Sequence, residues 1–182
     1  MEQIDKKTLV KTARQHLENG FLQEALRIYQ DILAIDPEYS QALHDLGMIQ
    51  FDAGNISEAI SLLKEATQRD DKRTDFHNNL GTVLKASGDL AAAEKAFRKA
   101  LTLDRNLVPA LVNIGSLLIE RGRIPAALKA LKRAIELAPE NSTALSSYAE
   151  ANKANGDIIE ALNSQLQAAK VDPLADFIWL NL

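Results

Sequence analysis

One spacing, 34 residues, governs this chain. Gly20, Gly54, Gly88, Gly122 and Gly156 recur at that interval, and Gly47, Gly81 and Gly115 form a second ladder with the same step. The two ladders account for all eight glycines among the 182 residues. Ala25, Ala59, Ala93, Ala127 and Ala161 repeat the interval. A period shared by several residue types marks stacked supersecondary units, each too small to bury its own apolar face and each covered by its neighbours.

The first unit, Lys6 to Tyr39, decodes as two helices. Leu9, Val10, Ala13 and Leu17 recur at helical steps before Gly20, and Leu22, Ala25, Leu26, Tyr29, Ile32 and Leu33 do so after it. Such steps give each helix one apolar stripe. The glycine between them can take the positive φ that ends a helix. Asp89 and Asp157 follow their glycines and are placed to cap the next helix, and Pro125 is placed to open one. Pro37, Pro139 and Pro173 share the slot that closes a unit, and Pro109 lies near the start of a first helix. No proline falls in a helix body, where it would cost about 3 kcal/mol.

Size alternates as well. Gly47, Gly81 and Gly115, with Ala13 and Ala149 in the same slot, permit close approach of a paired helix. Tyr29, Leu63, Phe97 and Leu131 fill one slot on successive second helices. Large set against small lets neighbouring units interlock at crystal-like density.

These residues resemble the tetratricopeptide repeat, a 34-residue pattern of Leu-Gly, Gly, Ala, aromatic and a closing Pro. The second unit reads Leu43, Leu46-Gly47, Gly54, Ala59, Leu63. The third reads Leu80-Gly81, Gly88, Ala93, Phe97. The fourth reads Leu111, Ile114-Gly115, Gly122, Ala127, Leu131, Pro139. The resemblance runs from about Lys6 to the end of the chain. It implies an all-α fold, a right-handed superhelical solenoid of antiparallel helix pairs. Residues 1–5 are then a leader, repeats span 6–39, 40–73, 74–107, 108–141 and 142–175, and 176–182 begin a sixth. Asp71 and Arg105 stand where units two and three lack the closing proline, so helix termination there must rest on something else. Gln165 replaces the aromatic of unit five. Trp179, 34 residues after Leu145, matches the family's opening tryptophan slot. The sixth repeat stops short of its second helix, which is read as continuation into a longer protein.

The resemblance implies that first helices line a concave groove that takes an extended or helical peptide. Carried over to this sequence, the groove positions are Lys11 and Arg14 in unit one and His44, Asp45 and Met48 in unit two. Unit three offers Asn78, Asn79, Thr82 and Lys85, unit four Val112, Asn113, Ser116 and Ile119, and unit five Ser147 and Glu150. Asn79, Asn113 and Asn181 share one slot. Their amides offer donors and an acceptor to a peptide backbone, in the manner of the asparagine ladder of repeat domains attached to protein glycosyltransferases. The clamp with which chaperone adaptors hold a terminal carboxylate is not matched, since Asp45 and Asp75 bring the wrong charge. Phe177, Trp179, Leu180 and Leu182 leave large apolar side chains at the open end, where self-association is expected.

Composition narrows the function further. The net charge is −4, without the basic excess of a nucleic-acid binder. A basic stripe, Lys95, Arg98 and Lys99 followed 34 residues on by Lys129, Lys132 and Arg133, reads as a solvated helix face. There is no cysteine, hence no thiolate ligand or nucleophile. No apolar run approaches the ~18 residues that would span a bilayer. His16, His44 and His77 show no metal-ligand spacing, and every glycine belongs to the repeat rather than to a phosphate loop. The sequence therefore points to no enzyme, no metal and no cofactor, but to a scaffold or adaptor with a protein or peptide partner. The cytoplasm is the expected compartment, with the periplasm also compatible. A second reading is the targeting arm of a larger enzyme, glycosyltransferase-like, whose catalytic domain follows residue 182.

Overall fold

A computed structural model describes residues 5–172, and these form ten α-helices with no strand among them. The helices divide into two compact units. The first holds α1 (Lys6–Glu18), α2 (Leu22–Ile35), α3 (Ser40–Asp52), α4 (Ile56–Arg69) and α5 (Thr74–Ala86). The second begins at Gly88 and holds α6 (Leu90–Leu103), α7 (Val108–Glu120), α8 (Ile124–Leu137), α9 (Ser142–Asn155) and α10 (Ile158–Val171). Each helix is 13 or 14 residues long. That is marginal for an isolated helix in water, so packing of the apolar stripe must hold it.

The turn inside each helix pair uses its glycine as the sequence predicts. Gly20, Gly54, Gly88, Gly122 and Gly156 have φ between 69° and 92°, and no other described residue has positive φ. An L side chain there would meet the backbone, which explains why this ladder is unbroken.

The turn between pairs uses a device the prolines had hidden. The residue after α2, α4 and α6 is Asp36, Asp70 or Asp104. Each carboxylate accepts a hydrogen bond from the backbone N–H two residues on, at Glu38 (3.2 Å), Lys72 (3.3 Å) and Asn106 (2.9 Å). This Asx turn satisfies a backbone donor without proline, so Asp71 and Arg105 are tolerated in the proline slot. After α8 the aspartate is absent, and Ala138 is followed by Pro139 instead. Helix starts follow the expected chemistry in part. Asp89 accepts from the Ala92 N–H and Asn141 from the Ala144 N–H, whereas Asp157 makes no capping bond and its carboxylate accepts from the Asn155 amide at 2.6 Å. Pro109 and Pro125 both lie in first turns.

The core forms where small meets large. In the first unit Ala13, Ala25, Tyr29, Ile32 and Ala42 are fully buried together with Val10, and Leu43, Ala66 and Phe76 form a second cluster. In the second unit Leu111, Val112, Ala134 and Ala144 cluster between α7, α8 and α9. Leu63 and Leu131 are both wholly buried and lie against Gly47 and Gly115. A Cβ added at Gly115 would stand 2.5 Å from Leu131 Cγ, whereas one at Gly47 would stand 3.0 Å from Leu63 Cγ. At the far end α10 leaves Ile159, Leu162 and Leu166 exposed.

The two glycines therefore separate helix propensity from packing. Alanine gains about 1 kcal/mol over glycine in a helix interior. Gly47→Ala should be near neutral, because that gain offsets a tight contact. Gly115→Ala should destabilise by about 1–3 kcal/mol, because the branch point of a buried leucine cannot yield. Urea midpoints of the two variants test this, and equal midpoints would rule out the packing explanation.

Candidate binding surface of the first helices

The first unit carries a continuous polar array across α1, α3 and α5, and its centre is Asp45. Asp45 is buried, with 7% of its surface exposed. A buried carboxylate needs partners for its lone pairs, and Asp45 makes five hydrogen-bonding contacts with four residues. Arg14 on α1 donates from Nε (2.8 Å) and Nη2 (3.0 Å) in a bidentate pair. The Tyr29 hydroxyl donates from α2 at 3.1 Å, the Gln41 amide from α3 at 2.8 Å, and His44 Nδ1 lies at 2.9 Å.

The array continues through His44. In the neutral ring, the nitrogen facing the carboxylate carries the proton and Nε2 is left as the acceptor. It faces the Asn79 amide nitrogen of α5 at 3.0 Å, and Asn79 Oδ1 in turn accepts from Asn78. The His44 ring stacks on Phe76, with centroids 4.3 Å apart and planes 13° apart. Arg73 lies over the same ring, 4.3 Å from the Phe76 centroid, while donating to Gln41 at 2.9 Å and pairing with Asp75. Asp45, His44, Phe76, Arg73 and Gln41 thus close into a ring of contacts that ties α3 to α5, and Arg14 joins α1 to it through Asp45.

Electrostatics follow from this geometry. Burial alone would raise the Asp45 carboxyl, but His44 and Arg14 outweigh it and hold it down to about 2. Burial, with the Asp45 carboxylate beside it, pushes the Tyr29 hydroxyl up. Arg73 likewise outweighs the effect of burial at Asp75 and lowers that carboxyl.

The groove positions expected from the sequence divide by exposure. Lys11, Arg14 and Glu150 are exposed, and Met48, Asn79, Thr82, Lys85, Asn113, Ser116, Ile119 and Ser147 are half-buried. His44, Asp45, Asn78 and Val112 are buried, at 6, 7, 8 and 7% exposure. Open presentation of these four side chains is therefore corrected. The first three lie within or beside the polar array, and Val112 packs with Leu111, Ala134 and Ala144. Of the asparagine ladder, Asn79 is already hydrogen-bonded to His44, and Asn113 is half-buried on α7. Asn181, Phe177, Trp179, Leu180 and Leu182 lie outside the described residues. Lys11 and Arg14 line a shallow hollow along α1 with Lys7, Val10, Gln15 and Glu18.

Of the other histidines, His16 is half-buried and meets the edge of Phe21, and His77 is buried with Nε2 2.9 Å from the Asp71 carbonyl oxygen. Both therefore occupy packing positions. Among the described residues no group of three or more His, Asp or Glu could hold a metal ion. No helix among them is long and apolar enough to cross a membrane. Arg73 went unnoticed in the sequence because it sits in a turn, outside either helical stripe. Tyr29 was visible only as bulk, although its hydroxyl serves the carboxylate.

The tetratricopeptide repeat profile matches residues 16–80 and 84–144. The chain belongs to the tetratricopeptide repeat family. No curated protein matches it. Solved structures share its all-α fold. The crystal structure of MamA is 24% identical over 88% of this chain and 94% of that one, with a TM-score of 0.77. The structure of YrrB, described as a tetratricopeptide repeat protein with an unusual peptide-binding site, is 21% identical over 93% of this chain and 88% of that one, at 0.74. The pilF protein of Pseudomonas aeruginosa is 22% identical over 93% of this chain and 78% of that one, at 0.81.

The polar array makes stability depend on acid. A carboxyl whose folded pKa lies below its unfolded value stabilises above the unfolded pKa and loses that contribution as pH falls through the folded one. The ordinary aspartate value is 3.8 and the folded value about 2, so Asp45 should contribute about 2 kcal/mol that disappears between about pH 4 and pH 2. Denaturation midpoints followed over that window should fall less steeply in Asp45→Asn than in the parent. Parallel slopes would show that the carboxylate is not held as described.

Proposed function

We propose that this chain is a protein-interaction scaffold whose first helices receive a peptide segment of a partner. The observation that carries this reading is the hydrogen-bonded array from Arg14 through Asp45 and His44 to Asn79. It holds polar side chains of three consecutive first helices in set positions. A peptide meeting such a surface orders few protein side chains on binding, which lowers the entropic cost of association.

Around this fixed array stand side chains of mixed chemistry. Lys11 offers an exposed cation, Met48 an adaptable apolar contact, and Thr82 and Lys85 polar groups on α5. In the second unit Asn113, Ser116 and Ile119 on α7, with Ser147 and Glu150 on α9, offer the corresponding mixture. Mixed surfaces of this kind suit an extended segment read at several points, rather than a small molecule enclosed in a pocket. The family membership of the chain supports a scaffold role, and the peptide-binding site named for YrrB is a property of that protein.

A displayed random-peptide library, selected on the purified chain, tests the reading. Enriched peptides should lose about tenfold in affinity to Lys11→Glu or to the pair Asn113→Ala and Ser116→Ala. They should be indifferent to an exposed second-helix change such as Gln30→Ala. Peptides equally indifferent to all the first-helix changes would place binding elsewhere.

A further inference from the structure

The second unit contains a charge cluster that the first-helix surface does not use. Glu94 on α6 is 8% exposed and receives three arginines. Arg98, one helical turn on, approaches Oε1 with Nε at 3.0 Å and Nη2 at 2.7 Å. The turn between α7 and α8 brings Arg123 Nη1 to Oε1 at 2.9 Å and Arg121 Nη1 to Oε2. Arg98 is the chief cause of the lowered Glu94 pKa, with Arg123 adding to it against burial.

One carboxylate does not balance three guanidinium groups, and the cluster keeps two surplus positive charges. Arg121 and Arg123 each reach Glu94 through a single terminal nitrogen, so most of each five-donor fork lies outside this carboxylate. The three arginine side chains remain 37–55% exposed. Around them the sequence is locally basic. Nine basic and five acidic residues lie between Gly88 and Leu137, a net +4 in a chain whose total is −4. Lys95 on α6 and Lys129 and Lys132 on α8 are exposed. The acid nearest them in sequence on α8, Glu136, is already paired with Arg133.

We propose that this cluster docks an acidic segment of a partner protein, whose carboxylates take the donors that Glu94 leaves over. Glu94 acts as a tethered internal carboxylate, keeping the arginines converged before the partner arrives. Forked guanidinium donors suit planar carboxylates. The exposed lysines one repeat apart extend the same charge along a chain-like ligand. The overall negative charge of the protein disfavours a long nucleic acid as occupant. The site lies on a second helix and an intra-pair turn, so it acts beside any peptide held by the first helices.

Binding of a fluorescein-labelled octaglutamate peptide, read by anisotropy at about 50 mM salt where exposed charges are little screened, tests the proposal. Removing the internal competitor with Glu94→Gln should tighten binding about threefold, and Arg121→Gln with Arg123→Gln should weaken it about tenfold. A purely structural cluster predicts no gain from Glu94→Gln. Helical circular dichroism reports whether the variants fold. If they do not, the exposed pair Lys129→Glu and Lys132→Glu decides, with a fall expected. Three results would overturn the proposal: no octaglutamate binding, affinity unmoved in the folded variants, or equal competition by an oligothymidylate of the same charge.

Discussion

The distance between the two helices of a pair is set by a small residue on the first facing a large one on the second. Ala13 with Tyr29, Gly47 with Leu63 and Gly115 with Leu131 are three settings of one contact. Everything else depends on that spacing. It allows helices of about four turns, marginal alone, to bury their stripes against each other, and it brings successive first helices close enough for side chains to reach across. Of the two glycine contacts that at Gly115 is the tighter, since a Cβ there would stand only 2.5 Å from Leu131 Cγ.

Close approach of first helices creates a second requirement. Polar groups on their facing sides are removed from water and must be satisfied there. In the first unit that task falls to one carboxylate, Asp45, which gathers Arg14, Tyr29, Gln41 and His44. The outcome is a surface that is polar and also rigid. In the second unit the corresponding stretch is more apolar, with Val112 in the core, and the concentrated charge lies instead at Glu94, between α6 and the next intra-pair turn. Two units built from one pattern thus place their ionic clusters on different sides of the helix pairs.

The joints between pairs show how a repeat tolerates variation. Proline preorganises two of the described joints, but an aspartate capping its own turn is present at three. Asp36 and Pro37 occur together, Asp70 and Asp104 act without proline, and Pro139 acts without aspartate. Either device ends the helix, so neither residue need recur every time. The intra-pair turn has no such redundancy, because positive φ excludes most side chains, and its glycine never changes.

The period, the two helices per repeat, the glycine turns and the small-against-large slots were all legible in the sequence. Each depends on local backbone sterics or on helical spacing, and both leave a fixed interval behind. The positions of first-helix side chains were legible only as a set. Spacing places Asp45, His44 and Asn78 on one side of their helices, but it cannot tell a side chain at the open edge from one covered by the next helix. Arg73 and Glu94 have local partners in Asp75 and Arg98, but their clusters are completed by partners about 30 residues away, Gln41 at 32 and Arg121 and Arg123 at 27 and 29, which left no periodic signal. Tertiary structure decided which charges converge and which remain open, because convergence is a property of distances between helices, and no single helix carries that information.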